Sequence, residues 1–571
     1  MLNIESAITE KFPRFDNKRP WIKKPTLGLL RKITHEQEIN QFLNTHQDLS
    51  GFDFIEQVLE YFNFSYSISH RHRNNIPATG RVVIVANHPL GALDGLALLK
   101  LVGEIRRDVK IIANDMLMNF SAVESLFLPV DNLSKATQKS SIQRIIDCLS
   151  NEEAVIVFPA GEVSRIRPNG VKDGKWNSGF INFAKKTNAP ILPIHITAKN
   201  SPLFYSFSMV YKPLSGMMLA HEMYKQTSKT ISMSVGELIP YKQIAALPLV
   251  KSEKAKLLRR HLYRMAKGKK SLFETEKTIV HPKERRQVKQ ELQQAELLGQ
   301  TADGKKIYLF ESQPDSAVMH EVGRLREITF RQVGEGTGKK RDLDRYDRDY
   351  LHLVLWDETY LEIAGAYRIG EVKKLLAKDD SRGIYSQELF DYDLDKMQPY
   401  FEQGLELGRS FVNPKYWGKR SLDYLWYGIG AYLQRYPEFR YLFGPVSLSN
   451  CYPDLAKTLI VSYYQHYYQD NEQLAKAKVP YLANSNIKNS VNSLFSGDDG
   501  KADFKLMREQ LANMNLTVPT LYKQYSELCQ AGGARFIDFN IDAEFANCID
   551  GLVMVDLHKL KPAKHKRYLA G

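Results

Sequence analysis

The sequence predicts an α/β chain of two domains: an N-terminal αβ domain behind a helical layer, then a C-terminal α+β domain. Three observations predict it. Between Val82 and Ile239, short unbroken apolar runs alternate with helix-length periodic segments, the pattern of a mainly parallel sheet covered on its faces. After Pro248 the composition turns basic, then charged and Gln-rich, and after Gly304 a new series of β-rich runs begins. At 571 residues the chain also exceeds what one core organises.

Residues 1–80 read as a basic arm and a helical layer. Lys11 to Lys32 is basic, is interrupted by Pro13, Pro20 and Pro25, and mixes Trp21, Lys23 and Lys24 with Leu27, Leu29 and Leu30. That mixture suits a membrane interface or an arm packed on the domain. Glu36 to Phe62 reads as largely helical, with Phe42, Phe54, Ile55, Val58, Leu59 and Phe62 available for an apolar face.

Residues 81–248 read as the first αβ domain. Val82 to Asp94, VVIVANHPLGALD, starts as a strand buried on both faces, breaks at Asn87-His88-Pro89 and a turn around Gly91, and passes into a helix from Leu93 to Val102. His88 therefore stands where a strand hands over to a helix, with Asp94 in that helix's first turn. Such a carboxylate can accept one imidazole N–H, fix the tautomer and leave the other nitrogen to take a proton; a capping Asp beside a half-buried His has the same spacing. Glu153 to Ser164, EAVIVFPAGEVS, repeats the strand and turn, with Gly161, Glu162 and Ser164 at its mouth. Arg165 and Arg167 follow and suit an anionic group or solvent. Ala189 to Ile196 is a third strand; His195 within it reads as a packed strand residue, and Trp176 before it as a packing residue or an acyl-chain contact.

Residues 249–304 read as a basic amphipathic helix and a linker. Lys251 to Lys270 places Leu257, Leu258, Leu262 and Met265 at helical spacing, for anionic lipid or for packing on the first domain. Pro282 to Gly304 reads as a charged helical linker. Residues 305–571 form the second domain: a strand Lys306 to Phe310, a helix Ala317 to Phe330, a hairpin from Tyr350–Trp356 and Ile363–Ile369, and a strand Leu405 to Val412. A basic loop with one glycine, Asn413 to Ser421, then opens the helix Leu422 to Tyr432. Lys415, Gly418, Lys419, Arg420 and Ser421 there offer backbone N–H groups, charge and a helix dipole to a phosphate.

Composition narrows the class. The chain is 43% hydrophobic and 25% charged, as globular proteins are. Cys148, Cys451, Cys529 and Cys548 are scattered, which argues against a disulfide scaffold or a metal site and fits a reducing cytosol. The start of the chain has no apolar signal core, and no run reaches the about twenty apolar residues a spanning helix needs, so a cytoplasmic protein, peripheral on the inner membrane, is expected. A net charge of +14 favours an anionic partner. Without RNA-binding or finger signatures, an anionic membrane surface or an acidic carrier protein is expected rather than nucleic acid.

The first domain resembles the glycerolipid acyltransferases of lysophosphatidic-acid acyltransferase type. Asn87-His88 with Asp94 is similar to the NHxxxxD block, with one residue more before the Asp. Phe158 to Ser164 is similar to the FPEGxxS block, with Ala160 at the usual Glu. Leu128-Pro129-Val130-Asp131-Asn132 is similar to the proline-containing block, with Asn132 at the usual Arg. The resemblance implies that His88 deprotonates an acceptor hydroxyl, Asp94 orients it, and Asn87, Gly161, Glu162, Ser164 and Arg165 contact substrate, without metal or cofactor. The second domain resembles the GNAT superfamily at Lys415 to Ser421. At Glu406, Arg409, Gly532-Gly533-Ala534-Arg535, Phe545 and Asp550 it looks like its ornithine-lipid N-acyltransferase and acyl-homoserine-lactone synthase branch. That implies Glu406 as the group that positions or deprotonates an amine, and Arg409 as a donor or carboxylate holder. Together the halves resemble bifunctional ornithine lipid synthases: N-acylation of ornithine from 3-hydroxyacyl carrier protein, then O-acylation of the resulting lyso-lipid. A phospholipid acyltransferase with an accessory N-acyltransferase domain, and a non-catalytic membrane-binding protein, are the alternatives.

Overall fold

The computed structural model describes residues 5, 20–113, 121–130, 135–168, 170–210, 212–378 and 383–569. Asp131, Asn132 and most of the basic arm before Pro20 lie outside them. The chain divides into two compact units, residues 1–281 and 282–571.

In the first unit, nine strands appear in chain order: β1 (Ser65–Ser67), β2 (Val82–Ala86), β3 (Val109–Ala113), β4 (Phe127–Pro129), β5 (Ala154–Val157), β6 (Arg165–Arg167), β7 (Gly170–Lys172), β8 (Ile191–Thr197) and β9 (Thr230–Val235). Seven form one sheet in the order β1-β9-β8-β2-β5-β3-β4, parallel except where β9 runs against β8; β6 and β7 form a separate hairpin. β2 lies mid-sheet with all five residues buried, so it has no polar face and reads as a continuous apolar run. Its period of two still sorts them: Val82, Ile84 and Ala86 join the cluster on one face, Val83 and Val85 that on the other.

Helices α1 (Pro20–Ile33), α2 (Glu36–Thr45), α3 (Gly51–Tyr61), α4 (Ala92–Gly103), α5 (Lys135–Ser150), α6 (Gly179–Thr187) and α7 (Lys251–Met265) surround this sheet. α3 and α4 cover the first face with Ile55, Leu59, Leu98 and Leu101. α5, α6 and α7 cover the second with Leu149, Phe180, Ala184, Leu258 and Leu262. Each such side chain contributes about 1.5–3 kcal/mol on burial. The basic helix α7 thus packs on this unit through Ala255, Leu258 and Leu262.

The second unit begins earlier than its first apolar run. Glu296–Gln300 is an edge strand, β10, not linker, although only Leu298 of it is buried. It pairs with β11 (Lys306–Glu311), followed by β12 (Leu351–Asp357), β13 (Glu362–Glu371), β14 (Phe390–Tyr392), β15 (Gly404–Val412), β16 (Tyr441–Leu448), β17 (Ala475–Ala477), β18 (Ala534–Asp542) and β19 (Cys548–Asp556). Eight form a sheet in the order β10-β11-β12-β13-β15-β16-β19-β18. Helix α8 (Ala317–Val333) packs Val318, Val322 and Leu325 on one face; α9 (Ser421–Arg435) packs Leu425, Trp426 and Ile429 on the other.

Every pairing in this sheet is antiparallel except β15 with β16, which is parallel and lasts only from Gly404–Tyr441 to Glu406–Phe443. Beyond that point the two strands separate. Gly444 sits at the crotch, where a Cβ would lie 2.0 Å from the Leu407 carbonyl oxygen. A bulge in β15 sets Arg409 and Ser410 opposite Tyr367 of β13 alone, and Arg409 takes φ of 48°, a left-handed conformation costly for a non-glycine residue.

Candidate active sites

The first site lies at the carboxyl end of β2. Gly91, at φ of 108°, makes the turn that admits the extra residue before Asp94, which an L side chain would resist. His88 Nδ1 and Asp94 Oδ1 are then 3.1 Å apart, with Asp94 fully buried and His88 20% exposed. Among the described residues neither atom has any other hydrogen-bond partner, so the two face each other alone. Asp94 Oδ2 accepts the Leu90 N–H at 2.8 Å, tying the turn to the helix. Phe158 stacks on the imidazole, ring centres 4.0 Å apart. Burial disfavours the imidazolium, yet the Asp94 carboxylate and then Asp173 outweigh it, so the His88 pKa is raised.

A second carboxylate, which the spacing did not reveal, supports this pair. Asp173 is fully buried. Its Oδ1 accepts the His88 N–H at 3.2 Å and the Ser164 hydroxyl at 2.5 Å, and its Oδ2 accepts Trp176 Nε1 at 2.8 Å. The Ser164 N–H in turn donates to the His88 carbonyl at 2.7 Å. The histidine block and the FPAGEVS block are therefore strapped together through Asp173. Trp176 is more than a packing residue, because its indole N–H completes the strap.

Four expected substrate contacts already have partners within the protein. Both ends of the Asn87 amide bond to the main chain of Ile196 at 2.8 Å, extending the β2–β8 ladder, so Asn87 positions the strand end. Ser164 is a strut to Asp173. Glu162 and Arg165 pair with each other at 3.1 Å. Gly161, at φ of 64°, turns the chain beside them, with the side chain of Asn177 as its neighbour.

The second site is the opening between β15 and β16. Its cavity is lined by Tyr385, Gly408, Arg409, Ser447, Phe545 and Asp550 among others. Arg409 lies between the rings of Tyr385 and Phe545, 4.8 and 4.9 Å from their centres, and 3.4 Å from both Asp342 and Asp344. Behind it Arg368 pairs with Asp344 at 2.7 Å and Arg326 with Asp347 at 2.7 Å. Burial opposes charge on Asp347, but Arg326 and Arg368 hold its carboxyl well below the usual range. These two acids and two arginines were not singled out by any motif.

Glu406, expected as a base, is buried and accepts the Tyr350 hydroxyl and the N–H groups of Tyr385 (3.1 Å) and Ser386 (2.8 Å). It anchors the segment that carries Tyr385 and does not line the cavity. Lys415 pairs with Glu362 at 2.5 Å, Arg420 with Asp423 at 3.3 Å, and Lys419 lies over Tyr416. With Gly418 at φ of 74° and the buried Ser421 they form the loop that leads from β15 into α9.

A family model described as acyltransferase matches residues 7–271, and one described as acetyltransferase (GNAT) domain matches residues 325–427. The lyso-glycine lipid O-acyltransferase of Bacteroides thetaiotaomicron is 32% identical over 42% of this chain and 89% of its own length. This chain belongs to the acyltransferase family. Its second half carries the GNAT domain, so this acyltransferase joins an O-acyltransferase and an N-acyltransferase. The glycine N(alpha)-acyltransferase of the same organism is 29% identical over 51% of this acyltransferase and 89% of its own length. The L-ornithine N(alpha)-acyltransferase of Brucella abortus is 28% identical over 28% of it and 64% of its own length.

Proposed function

We propose that this acyltransferase builds a doubly acylated amino-acid lipid in two consecutive steps. The GNAT half joins a 3-hydroxyacyl group to the amine of a small α-amino acid, and the first half esterifies the new 3-hydroxyl. One observation carries the reading: relatives named for glycine N-acylation and for O-acylation of a lyso-glycine lipid both match this one chain, which carries an acyltransferase and a GNAT family match in succession. Ornithine is one acceptor, as the Brucella relative's name suggests. Glycine stands beside it, because the glycine-named relative matches more of the chain.

In O-acylation, His88 Nε2 takes the proton of the acceptor hydroxyl while Asp94 steadies the imidazolium. The alkoxide attacks the thioester, the C–S bond breaks, and the thiolate takes the proton back from His88. No acyl-enzyme is needed. In N-acylation the amine attacks a thioester laid in the opening between β15 and β16, whose unpaired main-chain groups would bond the donor's amides. Acyl carrier protein is the expected donor at a chain of net charge +14. Among the described residues no helix is long and apolar enough to cross a membrane. The lyso-lipid would be taken from a membrane surface at the β6–β7 hairpin, which exposes Ile166 between Arg165 and Arg167.

The test incubates the purified chain with 3-hydroxymyristoyl-acyl carrier protein, a second acyl donor, and glycine or ornithine. Mono- and then diacylated amino acid should appear. Acylation of lysophosphatidate with neither amino acid acylated would instead favour a phospholipid acyltransferase.

A further inference from the structure

With Glu406 held by Tyr350, Tyr385 and Ser386, the N-acylation site needs another proton acceptor. Among the described residues lining the cavity, Asp550 is the one carboxylate. It sits on β19 directly across from Ser447 of β16, so both present themselves to the same opening. Arg409 lines the same cavity from β15. We propose that Asp550 is the catalytic base of N-acyl transfer, taking the proton of an amino acid whose carboxylate is held by Arg409. The inference rests on the aminolipid reading above.

Asp550 does nothing visible for the fold. It is buried, and its recorded hydrogen bond is from the Cys548 thiol at 3.7 Å, a weak donor. Burying a carboxylate with so little support is unfavourable, and such expense is commonest at functional sites. The groups around it come from every neighbouring element. Asp542 of β18 and Glu335 after α8 repel its charge, Arg409 of β15 attracts it, and Cys548 lies two residues before it on β19. Tyr385 covers the cavity with its hydroxyl 3.3 Å from Asp542. Tyr522, on the helix Thr520–Leu528, is fully buried with no hydrogen-bond partner for its hydroxyl, which lies 3.1 Å from where a Cβ on Gly551 would be. Ser447 donates to Glu335 at 2.8 Å, placing a hydroxyl and a second carboxyl behind Asp550 along β16.

Burial, then Asp542 and Glu335, push the Asp550 carboxyl up to about 8, against the pull of Arg409. Burial pushes Glu335 up to about 7. A base in that range accepts a proton from an α-ammonium with little driving force lost. The balance is simple. The ammonium gives one proton to Asp550 and its lone pair forms the C–N bond. The C–S bond breaks, and the thiolate leaves with the second N–H proton. Asp550 then releases its proton to solvent.

The test compares wild type, Asp550→Asn and Asp550→Glu as full chains, with 3-hydroxymyristoyl-acyl carrier protein and glycine or ornithine, across about pH 6 to 10. O-acylation in the same preparations reports an intact first half, and thermal melting reports the fold of the second. Asp550→Asn should lose on the order of 100-fold in N-acylation kcat near neutrality. Its rate should climb steadily with pH, without the plateau of wild type, as free amine supplies itself. Asp550→Glu should restore part of the rate and keep a plateau. Melting of Asp550→Asn should be unchanged near neutrality, where the carboxyl is mostly neutral, and higher above about pH 8, where the amide removes an unsupported buried charge. An Asp550→Asn enzyme with the wild-type profile and a rate within a few-fold overturns the proposal. So does one that only changes its preference between glycine and ornithine, because Asp550 then reads the side chain. Wild type that acylates neither amino acid overturns the aminolipid reading itself.

Discussion

Asp173→Asn tests the strap under His88. The carboxylate accepts three donors on two oxygens: the His88 N–H, the Ser164 hydroxyl and Trp176 Nε1. An amide has one acceptor oxygen. If it keeps the first two donors, its NH2 faces the indole N–H, and that donor is stranded at about 1–3 kcal/mol. The two surviving bonds also lose their charge, roughly halving their strength. Against this, burial raises the Asp173 pKa despite Ser164, Trp176 and His88, so a neutral amide recovers some desolvation. The net expectation is a loss of about 1–3 kcal/mol from the first unit. Because the strap fixes the main chain of His88, O-acylation kcat should fall about 10- to 100-fold. The assay is urea unfolding with both acylations measured on one preparation. Equal losses in O- and N-acylation, or no loss in either, would refute the reasoning.

Other perturbations separate the sites. Asp94→Asn should lower O-acylation by about 10²- to 10⁴-fold. In wild type the neutral imidazole is lost as pH falls through the raised His88 pKa; without Asp94 burial is opposed only by the smaller pull of Asp173, so the acid limb of the rate profile should move to lower pH. Arg409→Gln strands Asp342, while Asp344 keeps Arg368, and should destabilise the second unit by about 3–5 kcal/mol, with N-acylation lost and O-acylation kept, checked by melting and both assays. Gly444→Ala forces a Cβ against the Leu407 carbonyl and should cost about 1–3 kcal/mol and reduce N-acylation, measured as thermal shift and KM for the thioester.

Much of the fold was legible because it follows local rules. β2 was visible as a run with no polar face, and β12 with β13 as a hairpin of two β-rich runs joined by a short acidic segment. β10 was missed because four of its five residues are not buried, leaving a charged edge that looks like linker. In the sites, the sequence exposed which residues have the chemistry but not which are already bonded. Asn87, Ser164 and Glu406 each carry suitable groups, and each is taken up by main chain or a neighbour from a distant part of the sequence. The Arg326, Asp344, Asp347, Arg368 and Arg409 network pairs residues 21 to 65 positions apart only after β12, β13 and β15 pair, and no local spacing announces it. Asp173 stands in a segment whose visible feature was Trp176, the very side chain that bonds to it.

The most direct measurement is mass spectrometry of lipids from a host that lacks aminolipids, expressing wild type or His88→Ala. Wild type should yield the diacylated amino-acid lipid, and His88→Ala should stop at the monoacylated 3-hydroxy form. A diacylated product from His88→Ala, or no aminolipid from either, would contradict the account.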